Sequence, residues 1–161
     1  MIVVSDTSPI INLAVINQLE LLHHLYGEIY ISQAVYDEIA IKGIGQPGYD
    51  QLNKLPWVKI HEVSNRNLVE ALTLELDEGE AESIALAIEK QADLLLIDER
   101  KGRNIAGKFG LKCVGLLGCL IEAKYSGKIS SLKPLLDDLI LKAGFWISSE
   151  LYKRVLEAVK E

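Results

Sequence analysis

Two short apolar segments, each ending in an aspartate, place the strongest constraint on how this chain can fold. Residues 2–6 read Ile-Val-Val-Ser-Asp, and residues 94–98 read Leu-Leu-Leu-Ile-Asp. Continuous apolar runs of this length are typical of strands that are buried on both faces, as in parallel sheets. Weaker strand patterns occur at residues 28–31, 58–63 and 112–114, and a further one at residues 145–147. The sequence therefore predicts a central sheet.

Helical patterns separate the predicted strands. They cover residues 9–25, 33–41, 79–90, 100–109, 116–125, 132–142 and 149–160. The alternation of strands and helices indicates an α/β fold with a doubly wound, mainly parallel sheet flanked by helices. Residues 42–48 contain three glycines and a proline, which predicts a flexible loop. Because the chain has 161 residues and no repeat or linker, we expect one domain over residues 1–161.

The composition indicates a globular protein of the cytoplasm. Hydrophobic residues make up 49% and charged residues 25% of the chain, which is not a disordered composition. The longest uncharged apolar stretch, residues 113–121, is about half of the ~20 residues that a membrane-spanning helix needs. The N-terminus lacks the pattern of a signal peptide, and both cysteines lie in apolar sequence, as reduced core residues do. We expect a cytoplasmic protein with no membrane partner.

The net charge of −6 argues against a protein that coats nucleic acid by charge alone. Such proteins are normally basic, because neutralisation of phosphates drives their non-specific affinity. An acidic chain remains compatible with an enzyme that needs clustered carboxylates and has one local basic patch. The segment after Asp98 supplies that patch with Arg100, Lys101 and Arg103, followed by further lysines. The patch can contact a phosphate backbone, or it can simply be a solvated helix face.

Two aspartates are expected at one edge of the sheet. Ligands of open parallel sheets bind beyond the carboxyl ends of the strands, and Asp6 and Asp98 both follow such ends. Each also has a structural alternative. Asp6 can support a helix start in which Ser8 is the N-cap and Pro9 the first helical residue, and Asp98 can cap the next helix. The pair together favours a binding site.

A third acid is predicted on the helix at residues 79–90. At about 100° per residue, Glu80 lies at the edge of the apolar arc that contains Ile84 and Ala87, whereas Glu82 points the opposite way. We therefore expect Glu80 to face the site and Glu82 to face water. The alternative is a capping box, with Asp77 as N-cap and Glu80 at the third helical position.

A fourth acid, Glu38, falls inside an apolar arc of the helix at residues 33–41, with Asp37 outside it. Burial of an unpaired carboxylate is unfavourable, so Glu38 needs a partner, and a metal ion is one. Four carboxylates without histidine or cysteine suit a hard cation such as Mg²⁺ or Mn²⁺. Carboxylate-bound magnesium typically serves phosphate chemistry.

The chain resembles PIN domains from residue 3 to about residue 116. The resemblance is carried by residues 3–8 (Val-Val-Ser-Asp-Thr-Ser), 35–38 (Val-Tyr-Asp-Glu), 79–87 (Gly-Glu-Ala-Glu-Ser-Ile-Ala-Leu-Ala) and 94–98. The remaining residues are similar to a VapC-like branch described as predicted nucleic-acid-binding proteins. The resemblance implies a three-layer sandwich and a Mg²⁺- or Mn²⁺-dependent ribonuclease, often the toxin of a toxin–antitoxin pair and often a homodimer.

The resemblance also implies roles for individual residues. The four family acids map onto Asp6, Glu38, Glu80 and Asp98 as metal ligands, and a nearby hydroxyl maps onto Ser8. The third acid is more often aspartate in the family, and a polar residue is often found where Leu96 stands here. RNA and an antitoxin protein are the implied partners.

Two other functions remain open from the sequence. One is a catalytically weak PIN-like module that binds RNA or a protein through the same pocket. The other is a phosphotransferase that works through an aspartyl intermediate. The second is disfavoured, because its pattern requires an aspartate two positions after Asp6, and Ser8 occupies that position.

Overall fold

Five parallel strands form one sheet in a computed structural model that describes residues 1–161. Their spatial order is β3-β2-β1-β4-β5, and every neighbouring pair is parallel. The strands are β1 (Val3–Ser5), β2 (Ile29–Ser32), β3 (Val58–His61), β4 (Leu94–Leu96) and β5 (Cys113–Val114). The sheet predicted from the apolar runs is therefore confirmed, and it is wholly parallel.

Helices cover both faces of the sheet, so the fold is the expected PIN-like α/β sandwich. No helix combines the length and the apolarity that a transmembrane span requires. The helices are α1 (Thr7–Val15), α2 (Glu20–Tyr26), α3 (Gln33–Tyr36), α4 (Arg66–Leu72), α5 (Glu78–Glu89), α6 (Arg100–Lys108), α7 (Leu116–Tyr125), α8 (Lys133–Lys142) and α9 (Ser149–Ala158), with a π-helical turn at Asp37–Ile41 and a 3₁₀ turn at Leu52–Lys54.

The apolar strands separate two hydrophobic cores. Successive side chains of a strand point to opposite faces, so Val3 belongs to the larger core and Val4 to the smaller one. Leu94 and Leu95 divide in the same way on β4. Burial of both faces explains why these strands are continuously apolar instead of alternating.

The chain order of the strands creates the position for a site. From β1 the chain proceeds through β2 to β3 on one side, and β4 and β5 lie on the other side of β1. The gap between β1 and β4 is thus the topological switch point, where open α/β sheets bind ligands. Ser5 is in register with Leu96, and the Asp6 N–H donates to the Leu96 carbonyl at 2.9 Å. The residues that follow these two strands therefore lie at the same edge.

Several predicted elements are different in the structure. The single helix expected at residues 9–25 is two helices, because Asn17 adopts a left-handed conformation (φ 57°) that ends the first one. No strand forms at residues 145–147, which connect α8 and α9 without regular structure. Helix α4 was not predicted; it begins after Asn65, whose side chain accepts a hydrogen bond from the Leu68 N–H.

The segment at residues 33–41 is helical but not uniformly α-helical. It begins as α3 and continues as the π-helical turn, with Ser32 as N-cap accepting from the Val35 N–H at 3.2 Å. Single π-helical turns inside helices are frequent at functional sites. This turn carries Glu38.

Candidate metal centre

An acidic cavity of about 410 Å³ lies beyond the carboxyl ends of β1 and β4. Six of its ten lining residues are aspartate or glutamate, one is apolar, and none is basic. The lining residues are Asp6, Thr7, Ser8, Ile11, Asn12, Glu38, Asp77, Glu80, Asp98 and Glu99. The structure thus brings Ser8 and all four acids that were predicted as metal ligands to one cavity.

Asp6 is the most enclosed acid of the cavity. It occupies the N-cap position of α1 with only 6% of its surface exposed, and its side chain makes no capping hydrogen bond. The predicted helix start, with Ser8 as N-cap, is therefore wrong by two residues. Burial, together with the negative charges of Glu80 and Asp77, raises the pKa of Asp6 to about 7, and the nearby Thr7 N–H offsets part of this effect.

The two hydroxyls after Asp6 contact acids from different elements. The Thr7 hydroxyl donates to Glu38 Oε2 at 2.8 Å. The Ser8 hydroxyl donates to Asp98 Oδ2 at 3.4 Å, and Asn12 Nδ2 donates to Ser8 Oγ at 3.2 Å. The end of β1 therefore links the acid on the π-helical turn to the acid that follows β4.

The structural alternative, in which Asp98 caps the helix that begins near Glu99, is wrong. Asp98 Oδ1 instead accepts a hydrogen bond from the Leu116 N–H at 2.7 Å, at the start of α7. Burial raises the pKa of Asp98, whereas the Leu116 N–H, the Arg103 guanidinium and the Ser8 hydroxyl lower it. A helix N-terminus stabilises a carboxylate, so Asp98 is held in place by α7.

Glu80 both lines the cavity and closes the capping box that was the structural alternative for it. Its Oε1 accepts from the Asp77 N–H at 3.1 Å, and Asp77 Oδ1 accepts from the Glu80 N–H at 2.8 Å. Burial and the neighbouring negative charge of Asp77 raise the pKa of Glu80, with the Asp77 N–H acting in the opposite direction. The expectation that Glu80 faces the site agrees with this position.

The expectation that Glu82 faces water is wrong. Only 3% of Glu82 is exposed, and its two oxygens accept from Arg66 Nη1 at 2.8 Å and from the Ala34 N–H at 3.0 Å. Helix α5 packs against α3 and α4 as well as against the sheet, so more than its sheet-facing side is covered. Glu82 thus joins α5 to its neighbours and lies outside the acidic cavity.

Glu38 lines the cavity, but its side chain is not buried as the apolar arc predicted. The predicted arc holds for a regular α-helix, whereas Glu38 belongs to the wider π-helical turn, which changes the direction of its side chain. A Cβ atom added to Gly79 would lie 2.9 Å from Glu38 Oε2 and 3.6 Å from Asp6 Oδ1. Both carboxylates therefore converge on the start of α5.

The donor set fits a hard divalent cation in its chemistry. All candidate ligands are carboxylate oxygens, and no histidine or cysteine lines the cavity. The small residue at position 79 leaves room for two of these carboxylates near one point. No three of the acidic side chains are arranged as a preformed ligand cluster, so a cation would have to draw them inward. Asp6, Glu38, Glu80 and Asp98 are the residues that would hold it.

The three basic residues predicted to bind nucleic acid lie at the start of α6, directly after the cavity residue Glu99. Arg100, Lys101 and Arg103 are all exposed, and none lines the acidic cavity. Arg103 lies close to one of the cavity acids, Asp98. A Cβ atom on Gly115 would lie 2.9 Å from both Arg103 Nη1 and Asp98 Oδ1, so guanidinium and carboxylate are near neighbours.

The sequence-based prediction of the site missed five lining residues, which are the apolar Ile11 and the polar Thr7, Asn12, Asp77 and Glu99. Asn12 lies four residues after Ser8 and thus on the same face of α1, a spacing that the sequence does contain. Asp77 was recognised only as a helix cap. Nothing in the sequence distinguishes Thr7 from Ser8 as the partner of Glu38, because that contact joins residues 31 positions apart.

Comparison with known families identifies the family of the chain. A family model described as DUF3368, PIN domain, matches residues 2–161. No curated protein matches the chain. PIN domains are, in general, nuclease folds. The chain therefore belongs to the PIN-domain family.

Proposed function

We propose that this protein is a Mg²⁺- or Mn²⁺-dependent endoribonuclease of the PIN type. The observation that carries the proposal is the meeting of Asp6, Glu38, Glu80 and Asp98 around one cavity at the switch point of the sheet. Membership in a family of nuclease folds supports phosphodiester hydrolysis as the reaction. The oxygen-only donor set supports a hard cation as the cofactor.

Different residues of the chain have different roles in such a reaction. The chemistry that a divalent cation supplies in a carboxylate site is activation of water and stabilisation of charge on the phosphoryl group. Asp6, Glu38, Glu80 and Asp98 bind the cation in this proposal, while Ser8 and the start of α7 orient Asp98. Arg100, Lys101 and Arg103 contact the phosphates of the RNA, which the acidic cavity alone would repel.

The biological setting that we propose is the cytoplasm, where the protein acts as a VapC-like toxin on RNA. An antitoxin protein would be its partner, and a homodimer its oligomeric state. These proposals come from the resemblance of the sequence to the VapC-like branch. Co-purification of the chain with the product of a neighbouring small gene tests the antitoxin, and light scattering tests the dimer.

The experiment is an RNase assay on labelled single-stranded RNA with Mn²⁺, with Mg²⁺ and with excess EDTA. We expect cleavage with either metal, none with EDTA, and loss of most activity in Asp6→Asn. Asp50→Asn is the matched control, since Asp50 is exposed and lies outside the cavity. Cleavage that persists in EDTA, or in Asp6→Asn at the wild-type rate, would refute the proposal.

A second candidate function is a catalytically weak module that binds RNA or a protein. One observation favours it: no three of the cavity acids form a preassembled ligand cluster. Such a module would bind RNA in the presence of Mn²⁺ without cleaving it. The same assay, combined with a gel-shift measurement on the uncut RNA, separates the two functions.

A further inference from the structure

Glu38 is the most exposed of the four candidate ligands. It is exposed, and it belongs to a π-helical turn that no strand end holds directly. A glutamate side chain loses much rotational freedom when it is fixed, so a ligand of this kind benefits from a partner that restricts it in advance. Two features of the structure determine where this carboxylate lies, a hydrogen bond that restrains it and a glycine that leaves space for it.

The first feature is the hydrogen bond from the hydroxyl of Thr7. Thr7 is 6% exposed, and its Oγ1 donates to Glu38 Oε2 at 2.8 Å. The backbone beside it is fixed by the hydrogen bond from the Asp6 N–H to the Leu96 carbonyl. The Thr7 hydroxyl therefore orients one oxygen of Glu38 from the end of β1.

The second feature is the space beside Gly79, which has no side chain. An added Cβ would approach the same Glu38 Oε2 to 2.9 Å, closer than atoms of this kind normally come. Gly79 lies in the first turn of α5 and has no positive φ that would demand glycine. Glycine also lowers helix stability relative to alanine. The backbone conformation thus gives no reason for a glycine here, whereas the position of the Glu38 carboxylate does.

We propose that Thr7 and Gly79 are positioning residues of the metal centre, which act through Glu38 by holding its carboxylate beside Asp6. This inference rests on the proposed function, because it assumes that Glu38 binds a cation. Thr7 restrains the carboxylate by a hydrogen bond, and Gly79 leaves the space that the carboxylate occupies. Neither residue is one of the four proposed ligands.

The experiment measures binding of Mn²⁺ alone to the full chain by titration calorimetry, without RNA. Thr7→Val keeps the shape of the side chain and removes the donor, whereas Thr7→Ser keeps the donor. Loss of a partner that orients a metal ligand typically weakens affinity by about 10–100-fold. We expect Thr7→Val to bind Mn²⁺ about tenfold more weakly and Thr7→Ser to remain close to the wild type.

Gly79→Ala provides an independent test, since the substitution should favour the helix but weaken the binding of Mn²⁺. The atom that the new methyl group displaces is the end of the flexible Glu38 side chain, so the fold can accommodate it. Alanine favours the helix, and the melting temperature of the metal-free protein should not fall. The displaced carboxylate should weaken Mn²⁺ binding about tenfold or more.

Each outcome of these titrations decides something. Wild-type affinity in Thr7→Val, or equal weakening in Thr7→Ser, overturns the role of Thr7. Wild-type affinity in Gly79→Ala overturns the role of Gly79, and this variant decides the inference if Thr7→Val does not fold. Failure of the unsubstituted protein to bind Mn²⁺ overturns the proposed function and this inference with it.

Discussion

Replacement of Asp6 by asparagine should stabilise the metal-free protein at alkaline pH. Asp6 is 6% exposed, and burial together with neighbouring carboxylates raises its pKa from 3.8 to about 7. Above pH 7 the Asp6 carboxylate is therefore charged in both states, and this charge is less favourable in the folded protein than in the unfolded chain. Asparagine has nearly the same shape and lacks the charge, so the substitution removes this unfavourable interaction.

The magnitude follows from proton linkage. Each tenfold change in proton affinity is worth about 1.36 kcal/mol, so a pKa of about 7 instead of 3.8 corresponds to about 4 kcal/mol at most. Relaxation of the site and loss of the interaction with the Thr7 N–H reduce this figure, and we expect a gain of about 2 kcal/mol at pH 8. In a chain of this size that gain raises the melting temperature by roughly 4–8 °C.

The sign of the pH dependence is fixed by the direction of the shift. The raised pKa means that the folded state binds more protons than the unfolded state between pH 3.8 and about 7. The stability of the wild type should therefore fall as the pH rises through this window and level off above it. Asp6→Asn should lack this component, so the difference between the two proteins should be large at pH 8 and small near pH 4.

The assay is urea denaturation with EDTA at several pH values, with Asp50→Asn as the matched control. A second series contains Mn²⁺. A ligand at 100 times its dissociation constant stabilises the folded state by about 2.7 kcal/mol, so Mn²⁺ should stabilise the wild type and not Asp6→Asn. An Asp6→Asn protein that is less stable than the wild type at pH 8, and that still binds Mn²⁺ normally, would refute the reasoning.

Two further predictions concern residues around the cavity. Glu82→Gln should lower the free energy of unfolding by about 1–2 kcal/mol in urea denaturation, because Glu82 accepts hydrogen bonds from Arg66 and from the Ala34 N–H. The affinity for Mn²⁺ should not change, since Glu82 lies outside the cavity, and weaker Mn²⁺ binding would contradict this. Arg103→Gln should raise KM for RNA and reduce the slope of log(1/KM) against log[salt] by about 0.7, as loss of one phosphate contact to a single strand does. The exposed Arg154→Gln is the control, and equal effects in both variants would remove Arg103 from the RNA-binding surface.

The sheet edge that carries the candidate site could be predicted because its signal is local. A strand buried on both faces must be apolar at every position, and the polar residue that ends the run then marks the edge of the sheet. Asp6 and Asp98 were found in this way. Glu80 was found because α5 is a regular helix, for which 100° per residue holds.

The errors arose where a neighbouring element decides the environment. Glu82 was assigned to solvent because the face opposite the sheet is normally exposed, but α4 covers it and supplies Arg66. That helix has only seven residues and a weak apolar pattern. The orientation of Glu38 depends on a π-helical turn, and its contact with Thr7 joins distant segments. Neither feature has a signal in local periodicity.

The most direct test of the account is a crystal structure of the protein grown with Mn²⁺, with the ion located from its anomalous scattering. We expect an Mn²⁺ ion in the acidic cavity, coordinated by Asp6 and by carboxylate oxygens of Glu38, Glu80 or Asp98. An empty cavity at saturating Mn²⁺, or an ion bound only at residues outside it, would contradict the claim that these acids form a metal centre.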